Sequence, residues 1–180
     1  MPTGTHVDLE DIQSGALHPR PSPYVGYMGI IRIDDAQAGR EMLRRILPAL
    51  DNAATPLAID EDAWISLALS HHGLRALGVP QDSLDSFPLE FQEGMAARAE
   101  YIGDVGESGP VNWEPPFGTP NLHVALTALG PDEARLEEKL AHARASFAAV
   151  PGLQVIWSHE VKQLPNGRGF FGFRDGLSYP

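Results

Sequence analysis

Tyr24-Val25-Gly26-Tyr27-Met28-Gly29-Ile30-Ile31-Arg32-Ile33 is apolar on both of its alternating faces, with Val25, Tyr27, Ile31 and Ile33 on one side and Tyr24, Met28 and Ile30 on the other. Successive side chains of a strand point to opposite faces, so the pattern predicts a strand buried on both. Asp34 or Asp35 can cap the next element, in which Ala38, Met42, Leu43, Ile46, Leu47 and Leu50 recur at helical spacing. Glu41 and Arg45 pair four residues apart on its outer side, and Pro48 ends it. Residues 64–69 read as a second strand, and Ser70 as the cap of a short helix closed by Gly78 and Pro80.

The second half repeats this order. Leu122, Val124 and Leu126 alternate with His123, Ala125 and Thr127 in a half-buried strand bounded by Pro120 and by Gly130-Pro131. A helix follows on Leu136, Leu140, Ala143, Phe147 and Val150, started by Pro131 or Asp132 and followed by Gly152. Leu153, Val155 and Trp157 alternate in a fourth strand. The order β-α-β, excursion, β-α-β predicts an α+β fold, a ferredoxin-like βαββαβ sandwich with both main helices on one sheet face. Residues 1–23 are expected as a polar, Pro-rich lead-in, and 24–180 as the domain. Within it, 81–120 form an irregular excursion with one short helix near 90–100.

With 180 residues and 43% hydrophobic content, one domain with its own core is expected. A net charge of -11 opposes phosphate backbones and anionic lipid, which argues against nucleic acid and membrane surfaces as partners. No apolar run approaches bilayer length, and residues 1–13 lack a basic or apolar leader and a twin arginine, so a cytoplasmic location is expected. The absence of cysteine removes disulfides, thiolate nucleophiles and Cys-ligated clusters. Redox chemistry would need a borrowed cofactor.

Gly169-Phe170-Phe171-Gly172-Phe173-Arg174-Asp175-Gly176-Leu177-Ser178-Tyr179-Pro180 places one acid between glycines after an aromatic run. Upstream stand Asp11-Ile12-Gln13, the segment Ser70 to Gly78, Phe91-Gln92-Glu93-Gly94-Met95-Ala96-Ala97-Arg98, Gly103-Asp104 and Trp113, in that order. Together these resemble the dye-decolorizing (DyP-type) haem peroxidases, whose G-x-x-D-G signature is similar to Gly172-Phe173-Arg174-Asp175-Gly176. The resemblance spans residues 11–180, the N-terminal half of a family member.

The resemblance implies one half of a two-domain, dimeric α+β barrel fold, with haem b as cofactor. The implied reaction is oxidation of a dye-like or aromatic reducing substrate by hydrogen peroxide. Asp175 would be the distal acid–base residue, and Gly172, Phe173, Asp175, Gly176, Leu177 and Ser178 would run along the haem. Such a carboxylate removes a proton from one peroxide oxygen and returns it to the other. Gly172 and Gly176 would let the backbone approach a flat macrocycle, Phe171 and Phe173 could pack around it, and an apolar setting would raise the carboxyl pKa unless a cation offsets it. The family's proximal histidine and distal arginine belong to its other half, so no metal ligand is expected in this chain. A second ferredoxin-like domain, or a second chain, would cover the open sheet face.

Several residues keep a second reading. Asp175-Gly176 is also a common turn dipeptide. Arg174 points away from Asp175 in an extended segment and suits an acid or a propionate better than the distal arginine's role. His123 and His159 are the two histidines on strands and the only ones considered as ligands, although a hydrogen-bonded sheet histidine is the commoner use. Trp64, Trp113 and Trp157 could relay electrons or contact dyes, or pack. The alternative function is a non-enzymatic ferredoxin-like module that dimerises or binds a partner through its open sheet face.

Overall fold

The computed structural model describes residues 7–18, 20–55, 62–164, 167–168 and 171. Strand β1 (Val25–Ile33) leads into α1 (Ala36–Ile46), whose N-cap Asp35 accepts from the Ala38 amide. Strand β2 (Trp64–Leu69) leads into α2 (His71–Ala76), capped by Ser70, which accepts from the Gly73 amide. Three short helices follow, α3 (Gln81–Asp85), α4 (Leu89–Ala97) and α5 (Ala99–Ile102). Strand β3 (Val124–Gly130), α6 (Glu133–Ala145) and β4 (Leu153–Lys162) are the remaining strands and α-helix among the described residues.

The four strands form one antiparallel sheet in the order β2-β3-β1-β4. Each βαβ unit therefore straddles a strand of the other unit, which is the ferredoxin-like arrangement. Register fixes which side chains share a face: Ile31 stands opposite Val124, Tyr27 opposite Ala128, and Leu67 opposite Leu126. These residues meet Met42 and Ile46 of α1 and Leu136, Leu140 and Ala143 of α6 in one core, so both long helices lie on one sheet face.

Two departures from the sequence pattern have local causes. The register of β4 slips between Ile30, opposite Trp157, and Ile31, opposite Val155. One extra residue in a strand sends the following side chains to the other face. Leu153 and Val155 thus share the helix face, whereas Trp157 and His159 stand beside Ile30 and Met28 on the opposite one, against the expectation that Leu153, Val155 and Trp157 line a single face. Helix α6 ends at Ala145, earlier than the spacing of Phe147 and Val150 predicts, and Phe147 reaches the core from the turn that follows.

The second sheet face is covered at both edges by the chain itself. Near β2, Gly15 lies so close that a Cβ would come 2.5 Å from Ser66 Oγ and 2.7 Å from the Trp64 ring. Gln13 clamps the same strand, its amide nitrogen donating to Leu67 O at 2.9 Å and its Oε1 accepting from Leu67 N at 2.8 Å. Near β4, Trp157 packs edge-on against Phe117, with ring centroids 5.1 Å apart. What stays open is the middle, where Met28 is 36% exposed beside an exposed His159. Among the described residues no helix is long and apolar enough to cross a membrane.

Candidate functional site

The acid-bearing segment Gly172, Phe173, Asp175, Gly176, Leu177 and Ser178 lies outside the described residues, as does Arg174. The described structure places the strand that feeds it. Among the described residues β4 is an edge strand, paired with β1 along one side, and it carries Trp157 and His159 on its second face.

Trp157 is held on three sides. Its indole N–H donates to Glu114 Oε1 at 2.8 Å, Phe117 meets it edge-on, and the His159 ring stacks on it with centroids 5.9 Å apart and planes 22° from parallel. A buried or half-buried indole nitrogen needs an acceptor, and a carboxylate is the strongest available kind. Glu114 was not legible as a functional residue, because it stands 43 positions from Trp157 in an irregular segment. The neighbouring Trp113 indole instead donates to Ser108 O at 2.8 Å, and Trp64 Nε1 is buried with no partner among the described residues.

The two strand histidines behave differently. His123 sits just before β3; its Nδ1 accepts from the Ile33 amide at 2.9 Å, and its Nε2 donates to Pro120 O at 3.0 Å. Both ring nitrogens are thus used within the fold, in one neutral tautomer. Burial pushes its pKa below the ordinary value of 6.5, against the opposing pull of the Pro120 backbone carbonyl and of Asp34. His72 is lowered as well, by burial first and by Arg75 second. His159 lies exposed on the sheet.

These shifts set a pH dependence. Both histidines bind protons more weakly folded than unfolded, so stability is full above about pH 6.5 and falls as pH drops through the lowered values. The urea midpoint is expected to decline between about pH 7 and pH 5. His123→Gln, which keeps polar atoms but does not titrate, should flatten part of that decline; an unchanged slope would contradict the assignment.

Among the described residues no group of three or more His, Asp or Glu is placed to hold a metal ion. With His123 committed to the backbone and His159 exposed, the described residues do not by themselves fit an iron centre. His71 is 5% exposed and its Nε2 has no partner among the described residues, but it is closed in by Phe91 and His72 at ring-centroid distances of 6.0 and 6.5 Å.

The curated dye-decolorizing peroxidase of Mycena epipterygia is 27% identical over 185 residues, an alignment covering 97% of this chain and 32% of that protein. An ancestral D-type dye-decolorizing peroxidase matches with a TM-score of 0.79 at 26% identity, over 97% of this chain and 39% of that one. A dye-decolorizing peroxidase solved in complex with 2,6-dimethoxyphenol has the same fold, with a TM-score of 0.76 at 20% identity, over 97% and 39%. The chain spans 32% to 39% of the length of these relatives. The sequence model of the DyP dimeric alpha+beta barrel domain matches residues 26–156, from β1 into β4, and the chain belongs to the dye-decolorizing peroxidase family.

Proposed function

We propose that this chain supplies the N-terminal, distal part of a DyP-type haem peroxidase that oxidises aromatic or dye-like molecules with hydrogen peroxide. The observation that carries the reading is the family match across residues 26–156, with Gly172-Phe173-Arg174-Asp175-Gly176 following in sequence ten positions after the end of β4 at Lys162. Asp175 is the residue in this chain assigned to proton transfer: its carboxylate takes a proton from one peroxide oxygen and returns it to the other. Haem b is the proposed cofactor, held by a proximal histidine and accompanied by a distal arginine from sequence beyond these 180 residues. Cofactor contacts from this chain are assigned to Gly172, Phe173, Asp175, Gly176, Leu177 and Ser178. A relative solved with 2,6-dimethoxyphenol supports a phenolic reducing substrate.

Titration of the 180-residue chain with haem, followed by its Soret band, tests the division of labour. The expected result is no saturable binding at one haem per chain, with or without Asp175→Ala. Stoichiometric binding by the chain alone, with dye oxidation that survived Asp175→Ala, would sink the assignment. Solution mass measured on the same sample addresses the alternative role: the exposed centre of the second sheet face, at Met28 and His159, supports self-association through it.

A further inference from the structure

A cavity of about 780 Å³ opens between α4, the N-terminus of α2 and residues 113–122. Its volume lies in the range of small-molecule sites, roughly 300 to 1,000 Å³. Trp113 and Phe117 give it aromatic walls, and Met95, Ala96 and Leu122 give aliphatic ones. The Trp113 ring is fixed in place: its N–H is bonded to Ser108 O, and Gly118, at φ 77°, lies so close that a Cβ would stand 2.8 Å from the ring. Gly94 on the same wall has φ 72° and ψ 179°, a conformation essentially confined to glycine, and it interrupts α4 where the cavity begins.

The charged groups on the wall are Glu93 and Asp104, with His72, Ser70 and Thr119 as further polar groups. Arg98 stands 3.9 Å from Glu93 but does not line this cavity. An apolar-walled space edged by carboxylates, in a chain of net charge -11, accepts aromatic rings and penalises anions.

We propose that this cavity binds a neutral or cationic one- or two-ring aromatic molecule, its ring against Trp113 and Phe117 and its donor group toward Glu93 or Asp104. The inference goes beyond the peroxidase reading, since binding here requires neither haem nor peroxide. Its failure and the failure of the Asp175 assignment are therefore separable.

Calorimetric titration of the 180-residue chain with 2,6-dimethoxyphenol, and with the same ring carrying a carboxylate, 4-hydroxy-3,5-dimethoxybenzoate, tests it. The neutral phenol is expected to bind saturably at one per chain, and the carboxylate at least about tenfold more weakly. Ala96→Phe, which fills the space, should weaken the phenol at least about tenfold with the melting temperature retained. Glu93→Gln at an exposed position with Asp104→Asn at a half-buried one should bring the two ligands to within about threefold of each other. The proposal is overturned by absence of saturable phenol binding, by equal affinities in the parent, or by charge preference unaltered in the double variant.

Discussion

Asp175→Asn is expected to lower peroxide-dependent turnover by roughly 10² to 10⁴-fold, the usual contribution of a positioned acid–base group. The comparison is made in a polypeptide that joins this chain to the remainder of the ancestral D-type relative beyond the matched region, to which the proposal assigns the proximal histidine. Asparagine has the shape of aspartate but cannot carry the proton between the two peroxide oxygens. The loss should therefore fall on kcat/KM for hydrogen peroxide, with little change in KM for the aromatic reductant and an intact Soret band. Equal losses in both substrates' KM would instead point to a displaced loop.

The second large effect concerns the frame. Leu140 of α6 is fully buried, at 0% exposure, within the cluster formed by Ile31, Ile65, Val124 and Leu126. Leu140→Ala is expected to cost about 2–5 kcal/mol, since the removed atoms leave a cavity that the sheet on one side and α1 on the other cannot close. Single domains of this size are stable by only about 5–15 kcal/mol, so much of the total would be lost. Urea unfolding of the 180-residue chain measures it. A change below about 0.5 kcal/mol, as for an exposed position, would show that α6 does not pack on the sheet.

How much of this was legible in the sequence differs by element. β1 and α1 were readable because a continuous apolar run marks Val25 to Ile33 and helical spacing marks Ala38 to Leu47, although Met28, expected to be buried on the second face, is 36% exposed. Ser70 was expected to cap α2 and Pro131 or Asp132 to start α6; the structure makes Ser70 and Asp132 the caps, each bonded to the amide three residues on. The faces of β4 were misread because a bulge leaves no mark in composition: Val155 and Trp157 are two apart yet point to opposite sides. The helical segment near 90–100 was anticipated, but its break at Gly94 was not, since an isolated glycine inside a helix pattern does not disclose a φ of 72°. The clamp from Gln13 to Leu67 and the bond from Glu114 to Trp157 join residues 54 and 43 positions apart, and only the folded sheet brings them together. Among site residues, His123 was weighed as a ligand or a hydrogen-bonded sheet histidine, and its bonds to Ile33 and Pro120 decide for the second. Asp175 was legible through its motif, and its role stays a proposal for kinetics to decide.

The most direct measurement is chemical rescue. In the joined polypeptide with Asp175→Gly, the rate of reaction with hydrogen peroxide is followed by stopped flow as formate is added. The account predicts a slow reaction that formate accelerates at least about tenfold, because a free carboxylate can occupy the vacated position and move the proton, with no acceleration when Asp175 is present. An Asp175→Gly protein that reacts at the parent rate without formate would contradict the assignment of Asp175.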